Sequence, residues 1–273
     1  MKRWFSKKHN VQQAAKQAQR RKQLSRRLTL ETLAMRLPMA VDLQIVKDIN
    51  TTDQGSDPTP IVHSGADHFF TAAGDSSGLP TLWKTDGTTA GTVELYSPSH
   101  GGIAPSELTD VNGTLFFRGS GAQGDELFKS DGTVAGTVMV KDIVAGYGSS
   151  YPQRLTNVAG KLFFTVVTEN GSTALWKSDG TEAGTVLVKD VPIARTPVSA
   201  NNLLFFESGG DLWKSDGTSD GTVVIKDFPG VEPIEQLTNC NGTVYFSQAG
   251  YLWKSDGTEA GTVQVRSFTN ALV

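Results

Sequence analysis

Five copies of one seven-residue phrase constrain what this chain can fold into. Leu82-Trp83-Lys84-Thr85-Asp86-Gly87-Thr88 recurs at residues 127–133, 175–181, 212–218 and 252–258, each time running on to a Gly-Thr-Val such as Gly91-Thr92-Val93. The leading leucines lie 45, 48, 37 and 40 residues apart. Self-similarity at about 40 residues marks a repeat architecture, in which each unit buries its faces on its neighbours.

The third unit shows the order of signals. Arg154-Leu155-Thr156-Asn157-Val158 reads as a short strand, Ala159-Gly160 as a turn, and residues 161–167 as an aromatic and β-branched second strand. Ala174-Leu175-Trp176-Lys177 makes a third strand, Ser178-Asp179-Gly180-Thr181 a turn, and residues 185–190 a fourth. Short strands joined by Asn-Gly, Ala-Gly and Asp-Gly turns predict an antiparallel meander. Phe116-Phe117, Phe163-Phe164 and Phe205-Phe206 are adjacent. Neighbouring strand residues point to opposite faces, so both faces of each sheet must be covered. A ring of four-stranded blades meets that demand, and the fold expected is an all-β, five-bladed β-propeller.

The units span residues 60–97, 105–143, 152–191, 197–228 and 233–268. One strand is left over, Leu43-Gln44-Ile45-Val46-Lys47-Asp48-Ile49, which matches the fourth-strand phrase Val140-Lys141-Asp142-Ile143. It is expected to pair with the last blade and close the ring; the alternative is a piece of a longer array. The four tryptophans of the phrase, with Phe128, are expected to be buried between blades.

Leu175-Trp176-Lys177-Ser178-Asp179-Gly180-Thr181, followed by Ala183-Gly184-Thr185 and Val188-Lys189-Asp190, resembles the repeat of the ELWxxDGT family of bacterial proteins, whose repeats resemble propeller blades. The match covers roughly residues 43–268. The family's leading Glu stands only at Glu126, with Thr81, Ala174, Asp211 and Tyr251 elsewhere, and Phe128 replaces one Trp. A leading Glu is therefore no ligand required in every repeat.

The formal net charge of -3 conceals an asymmetry. Residues 1–40 hold eleven Lys and Arg against Glu31, or +10, and the remainder holds 14 basic and 27 acidic residues, or -13. A basic arm of residues 1–40 on an acidic body of residues 41–273 is the domain division this implies. The arm reads as a helix over residues 11–36, rich in Gln, Ala, Lys, Arg and Leu and free of Gly and Pro until Pro38. Residues 26–40, with Leu30-Glu31, Leu33, Arg36 and Ala40 in register, are similar to the LEPR-type motif of exported bacterial surface proteins. That resemblance implies a targeting segment and an extracellular or cell-surface location. The arm lacks the apolar run of a secretory signal, so the export route stays open. A solvated basic helix and a nucleic-acid-binding arm are the rival readings. Against nucleic acid, only Trp4 and Phe5 could stack on bases, and the acidic body repels phosphate. No apolar run is long enough to span a membrane.

Several motifs mimic chemistry. Gly74-Asp75-Ser76-Ser77-Gly78 matches a nucleophile elbow but leads into a strand, and Gly119-Ser120-Gly121-Ala122-Gln123-Gly124 matches a phosphate loop with no helix behind it. The sequons at Asn112, Asn170 and Asn241 fall at turns, where Asn and Gly tolerate positive φ. Asp86, Asp131, Asp179, Asp216 and Asp256 suit hydrogen bonding within turns better than calcium. His9, His63, His68 and His100 form no metal-spaced pair. Cys240, at the place of Val111 and Val158, is expected to be a buried core thiol. No catalytic residue, metal site or cofactor is expected.

Turns between strands one and two and strands three and four share one face and hardly vary among units. Loops between strands two and three, and between blades, share the other face and differ, which is how loops on a rigid scaffold carry recognition. The expected function is therefore a non-catalytic binding or adhesion module, with a glycan as ligand contacted by Tyr147, Tyr151 and Tyr251. The alternative is a scaffold for protein partners, and a polysaccharide hydrolase or lyase ranks last because no acid/base pair stands out. A monomer is expected, with a glycan or surface protein as partner.

Overall fold

The computed structural model describes residues 45–49, 55–73, 79–97, 104–167, 171–230 and 232–267. The expected N-terminal helix and the segment 74–78 lie outside them. The fold is the expected one, a five-bladed β-propeller of four-stranded antiparallel sheets. Blade one is β1 (Val62–Ser64), β2 (Asp67–Ala73), β3 (Pro80–Thr85) and β4 (Val93–Tyr96). Blade two is β5 (Ser106–Val111), β6 (Thr114–Gly121), β7 (Gly124–Ser130) and β8 (Val138–Lys141). Blade three is β9 (Gln153–Val158), β10 (Lys161–Val167), β11 (Thr173–Ser178) and β12 (Val186–Lys189). Blade four is β13 (Val198–Ala200), β14 (Leu203–Ser208), β15 (Asp211–Ser215) and β16 (Val223–Lys226). Blade five is β17 (Glu235–Cys240), β18 (Thr243–Gln248), β19 (Tyr251–Ser255) and β20 (Val263–Ser267). In every blade the register of the third and fourth strands shifts at the Leu-Trp or Leu-Phe step, a bulge that adds twist to the outer strand.

The core lies between blades. The two phenylalanines of each pair part company: Phe163 packs forward with Leu204, Phe206 and Trp213 of blade four, whereas Phe164 packs backward with Val111, Phe116 and Val140 of blade two. Blades four and five repeat the pattern with Phe205, Phe246 and Trp253. Polar ties lock the same seams. The Lys129 Nζ donates to the Gly180 carbonyl at 2.8 Å, Lys177 to Gly217 at 2.7 Å, and Lys214 to Gly257 at 2.8 Å. Blade one departs, because Lys84 turns back to Asp67 at 3.1 Å. Among the expected aromatics, Trp83 and Phe128 are buried, while Trp176, Trp213 and Trp253 are half-buried.

Two expectations fail together. Residues 45–49 add no strand to blade five, whose sheet ends at β20. Val46 and Lys47 instead bond to the turn of blade one, Thr89 Oγ1 donating to the Val46 carbonyl at 2.6 Å and Lys47 Nζ to the Thr92 carbonyl at 2.7 Å. Cys240 is exposed, not buried. Its counterparts Val111, Val158 and Ala200 are covered by the following blade, and among the described residues no such blade covers Cys240.

Candidate binding face

The turns that recur in every unit satisfy their own hydrogen bonds. In blade three, Asp179 Oδ1 accepts from Thr181 N at 2.9 Å and Thr181 Oγ1 at 2.7 Å, and Thr181 Oγ1 accepts from Gly184 N at 2.9 Å. Thr185 Oγ1 donates to the Thr181 carbonyl at 2.7 Å and faces Ser178 Oγ at 2.8 Å. The same network recurs around Asp86, Asp131, Asp216 and Asp256. Hydrogen bonds from the threonine hydroxyl, then from its amide, hold each of the five carboxyls below the usual aspartate value. Gly184 is required by space, because a Cβ there would overlap the Asp179 carboxylate, and the glycines of the other four turns meet the same obstacle. The phrase therefore writes a turn. Among the described residues no group of three or more His, Cys, Asp and Glu could hold a metal.

The leading Glu126 is an internal tie. Fully buried, it accepts from Ser150 Oγ at 2.6 Å, Ser150 N at 3.0 Å and Ile143 N at 3.1 Å, fastening the loop between blades two and three to β7. Burial raises its carboxyl above the usual range, and the serine bonds oppose that shift. Asp211 does the same work in blade four by accepting from Phe228 N at 2.9 Å.

Above that tie lies a polar and aromatic cluster. Arg118 Nη2 pairs with Asp125 Oδ2 at 2.8 Å, Ser120 Oγ bonds the other Asp125 oxygen, and Ser149 Oγ accepts from Asp125 N at 2.9 Å. The guanidinium lies over the Tyr151 ring at 5.0 Å. Tyr96 donates to the Ser120 carbonyl, and burial, reinforced by the Asp125 charge, pushes its phenol up to about 12. The Tyr96 ring packs on Phe117 and Phe128, anchoring the cluster in the core. The cluster is a planar cation fixed between a carboxylate and an aromatic face.

Of the three tyrosines singled out from the sequence, two belong to this place. Tyr151, 42% exposed, takes part in the cluster, and Tyr147, 95% exposed, lies in the same loop. Tyr251 opens β19 on blade five, paired with Gln248 and half-buried, and the fold does not bring it to the others. Arg118 and Asp125 were missed. A signal existed, since Arg118 is a cation at the place after the aromatic pair where other units have Thr71, Thr165, Glu207 and Ser247.

The other candidates resolve into structure. The glycine-rich stretch 119–124 forms the β6–β7 hairpin, with Gly121 paired to Gly124. His63 and His68 face one another as strand partners, their rings edge to face at 5.0 Å. On the inner strands, Glu107 Oε2 accepts from Arg154 N at 2.8 Å, and the Arg154 guanidinium donates to the Ala194 carbonyl at 2.8 Å, so both serve interblade contacts. Among the described residues, no helix is long and apolar enough to cross a membrane.

No protein-family model and no curated protein matches the chain. Among solved structures it is similar to a prolyl endopeptidase, at TM-score 0.52 and 10% identity, over 79% of this chain and 37% of that one. It is also similar to puromycin hydrolase, at TM-score 0.50 and 14% identity, over 80% of this chain and 40% of that one. A nidogen/laminin complex matches at TM-score 0.42 and 12% identity, over 74% and 75% of the two chains. The chain thus spans well under half of the two hydrolases, and at such identities the likeness is one of fold alone.

Proposed function

We propose that this chain is a non-catalytic binding module of the ELWxxDGT type, acting at the bacterial cell surface or after secretion, and that its ligand is a glycan. The reading rests on the Arg118–Asp125–Tyr151 cluster beside the exposed Tyr147. Aromatic faces pack against the C–H face of a sugar ring, and a fixed guanidinium and carboxylate offer donors and acceptors to its hydroxyls. The bonds that Asp125 receives from Ser120 and gives to Ser149 hold the cluster before ligand arrives, which lowers the ordering cost of binding. A glycan array probed with the folded protein tests the reading. Binding should appear for a restricted carbohydrate set and fall at least about tenfold, or 1.4 kcal/mol, in Tyr147→Ala and Tyr151→Ala. Absence of any carbohydrate signal, or signals indifferent to both substitutions, would sink it.

A scaffold for a protein partner is the second reading, favoured by Tyr147 at 95% exposure. A rigid amphipathic ring raised from a surface is the type of anchor that dominates protein interfaces. A partner protein captured by wild type and lost in Tyr147→Ala, with a silent glycan array, would select it.

A further inference from the structure

Blade five ends in a face built for another blade. Cys240, Tyr245, Leu252 and Val265 stand where Val158, Phe163, Leu175 and Val188 are buried against blade four. Yet Cys240 is exposed and Val265 is 48% exposed. Lys254 occupies the place from which Lys129, Lys177 and Lys214 donate to a glycine carbonyl of the next blade. The complement exists on blade one. Gly87 corresponds to those acceptor glycines, and the space a Cβ would occupy there is empty to 4 Å, whereas Phe116, Phe163 and Phe205 fill it at Gly180, Gly217 and Gly257. Beside Gly87 a groove of about 480 Å³ opens between His68, Phe70 and Ile61.

The outer edge of that receiving face is already taken. Lys47 Nζ reaches the Thr92 carbonyl at 2.7 Å, as the fourth-strand Lys141 reaches Thr185 at 2.9 Å and Lys189 reaches Thr222 at 2.7 Å in the next blade. Ile49 packs on the cluster of Phe70, Ala72 and Trp83, as Ile143 does on the cluster that holds Phe164 and Val166. Lys47 lies over the Trp83 ring at 5.6 Å, as Lys189 lies over Trp213 at 6.0 Å. Residues 46–49 thus make against blade one the contacts that the fourth-strand segments of blades two and three make against the blade that follows.

We infer that the open face of blade five is an interaction surface for blade one of a second copy of this chain, and that residues 46–49 hold off this head-to-tail pairing by occupying the place β20 would need. A second copy fits better than closure within one chain. Blades two to five are joined by ties of nearly equal length, and among the described residues no apolar cluster joins blade five to blade one. Adding a copy repeats the same seam without straining the others, in the manner of a heterologous contact. A segment that caps a repeat edge is how such arrays stay soluble.

The test is sedimentation velocity on the full chain across a roughly hundredfold concentration range, with circular dichroism to confirm folding. Wild type should remain monomeric. Ile49→Asp, which expels the cap, should raise the weight-average mass at least about twofold with concentration, and adding Val265→Asp should restore the monomer. Val265 is exposed in the monomer, so that substitution leaves its fold intact. Should Ile49→Asp fail to fold, Lys47→Ala with Thr89→Ala removes both polar ties of the cap and should show the same trend. Folded, uncapped protein that stays monomeric would overturn the inference. So would association that ignores Val265→Asp, or wild type that associates as readily as the uncapped variants.

Discussion

Blades three and five carry almost the same phrase and live in different environments. Val158, Phe163, Leu175 and Val188 of blade three form a buried cluster with blade four, while Cys240, Tyr245, Leu252 and Val265 are exposed or half-buried. The turn is identical in both, with Asp179 and Asp256 bonded alike to their threonines at 2.7 Å. The phrase therefore encodes the hairpin and its turn, whereas burial is conferred by the next blade. Stability in such an array divides between intrinsic repeat terms and neighbour terms, and this chain separates the two by offering one blade that no other blade covers among the described residues.

The largest expected effect breaks that symmetry directly. Phe163→Ala should cost about 3 to 5 kcal/mol, and Tyr245→Ala, at the equivalent place without a covering blade, less than about 1 kcal/mol. Urea melts of the two variants measure both, and equal losses would show that blade five is covered after all. The turn should behave alike in the two blades. Gly184→Ala and Gly261→Ala each drive a methyl group into the aspartate carboxylate, and each should cost about 1 to 3 kcal/mol. A large difference between them would mean that the turn term depends on neighbours.

A smaller effect is read from pH. The five turn aspartates have folded-state values below the ordinary 3.8, so the unfolded chain binds their protons more readily. Their contribution is complete above that value and is lost as pH falls through the lowered folded values. Glu126 has the opposite sign, since its folded value lies above the ordinary 4.5 and the folded state holds its proton more tightly. Lowering pH through that raised value toward 4.5 should add stability, and Glu126→Gln should abolish the rise while leaving the acid loss below 3.8. Thermal melts between pH 3 and 7 check it.

How much was legible in the sequence follows from the same division. The meander, the turns and the two-faced Phe-Phe pairs were readable because their causes lie within one unit. Ring closure and the burial of Cys240 were misread because the phrase at residues 43–49 says that a segment is a fourth strand without saying for which blade. Lys47 takes that role against Thr92. The Arg118–Asp125–Tyr151 cluster was only partly visible. Tyr147 and Tyr151 stood out as loop aromatics, but Arg118 reaches Tyr151 across 33 positions, and no local pattern announces such a meeting. Glu126 was legible only as no ligand required in every repeat; it is a loop tie, and Asp211 takes its place in blade four.

The central claim is that burial in each blade is supplied by the next and that blade five lacks this cover. Cys240 reports on it directly, being the chain's one thiol. The rate of its reaction with a thiol reagent in native buffer should approach that of the unfolded chain, because an exposed thiol needs no opening to react. Val158→Cys, in a Cys240→Ser background, should be protected by at least about a hundredfold, since its reaction waits on opening of the seam with blade four. Equal protection of the two thiols would contradict the account and place a covering blade over residue 240.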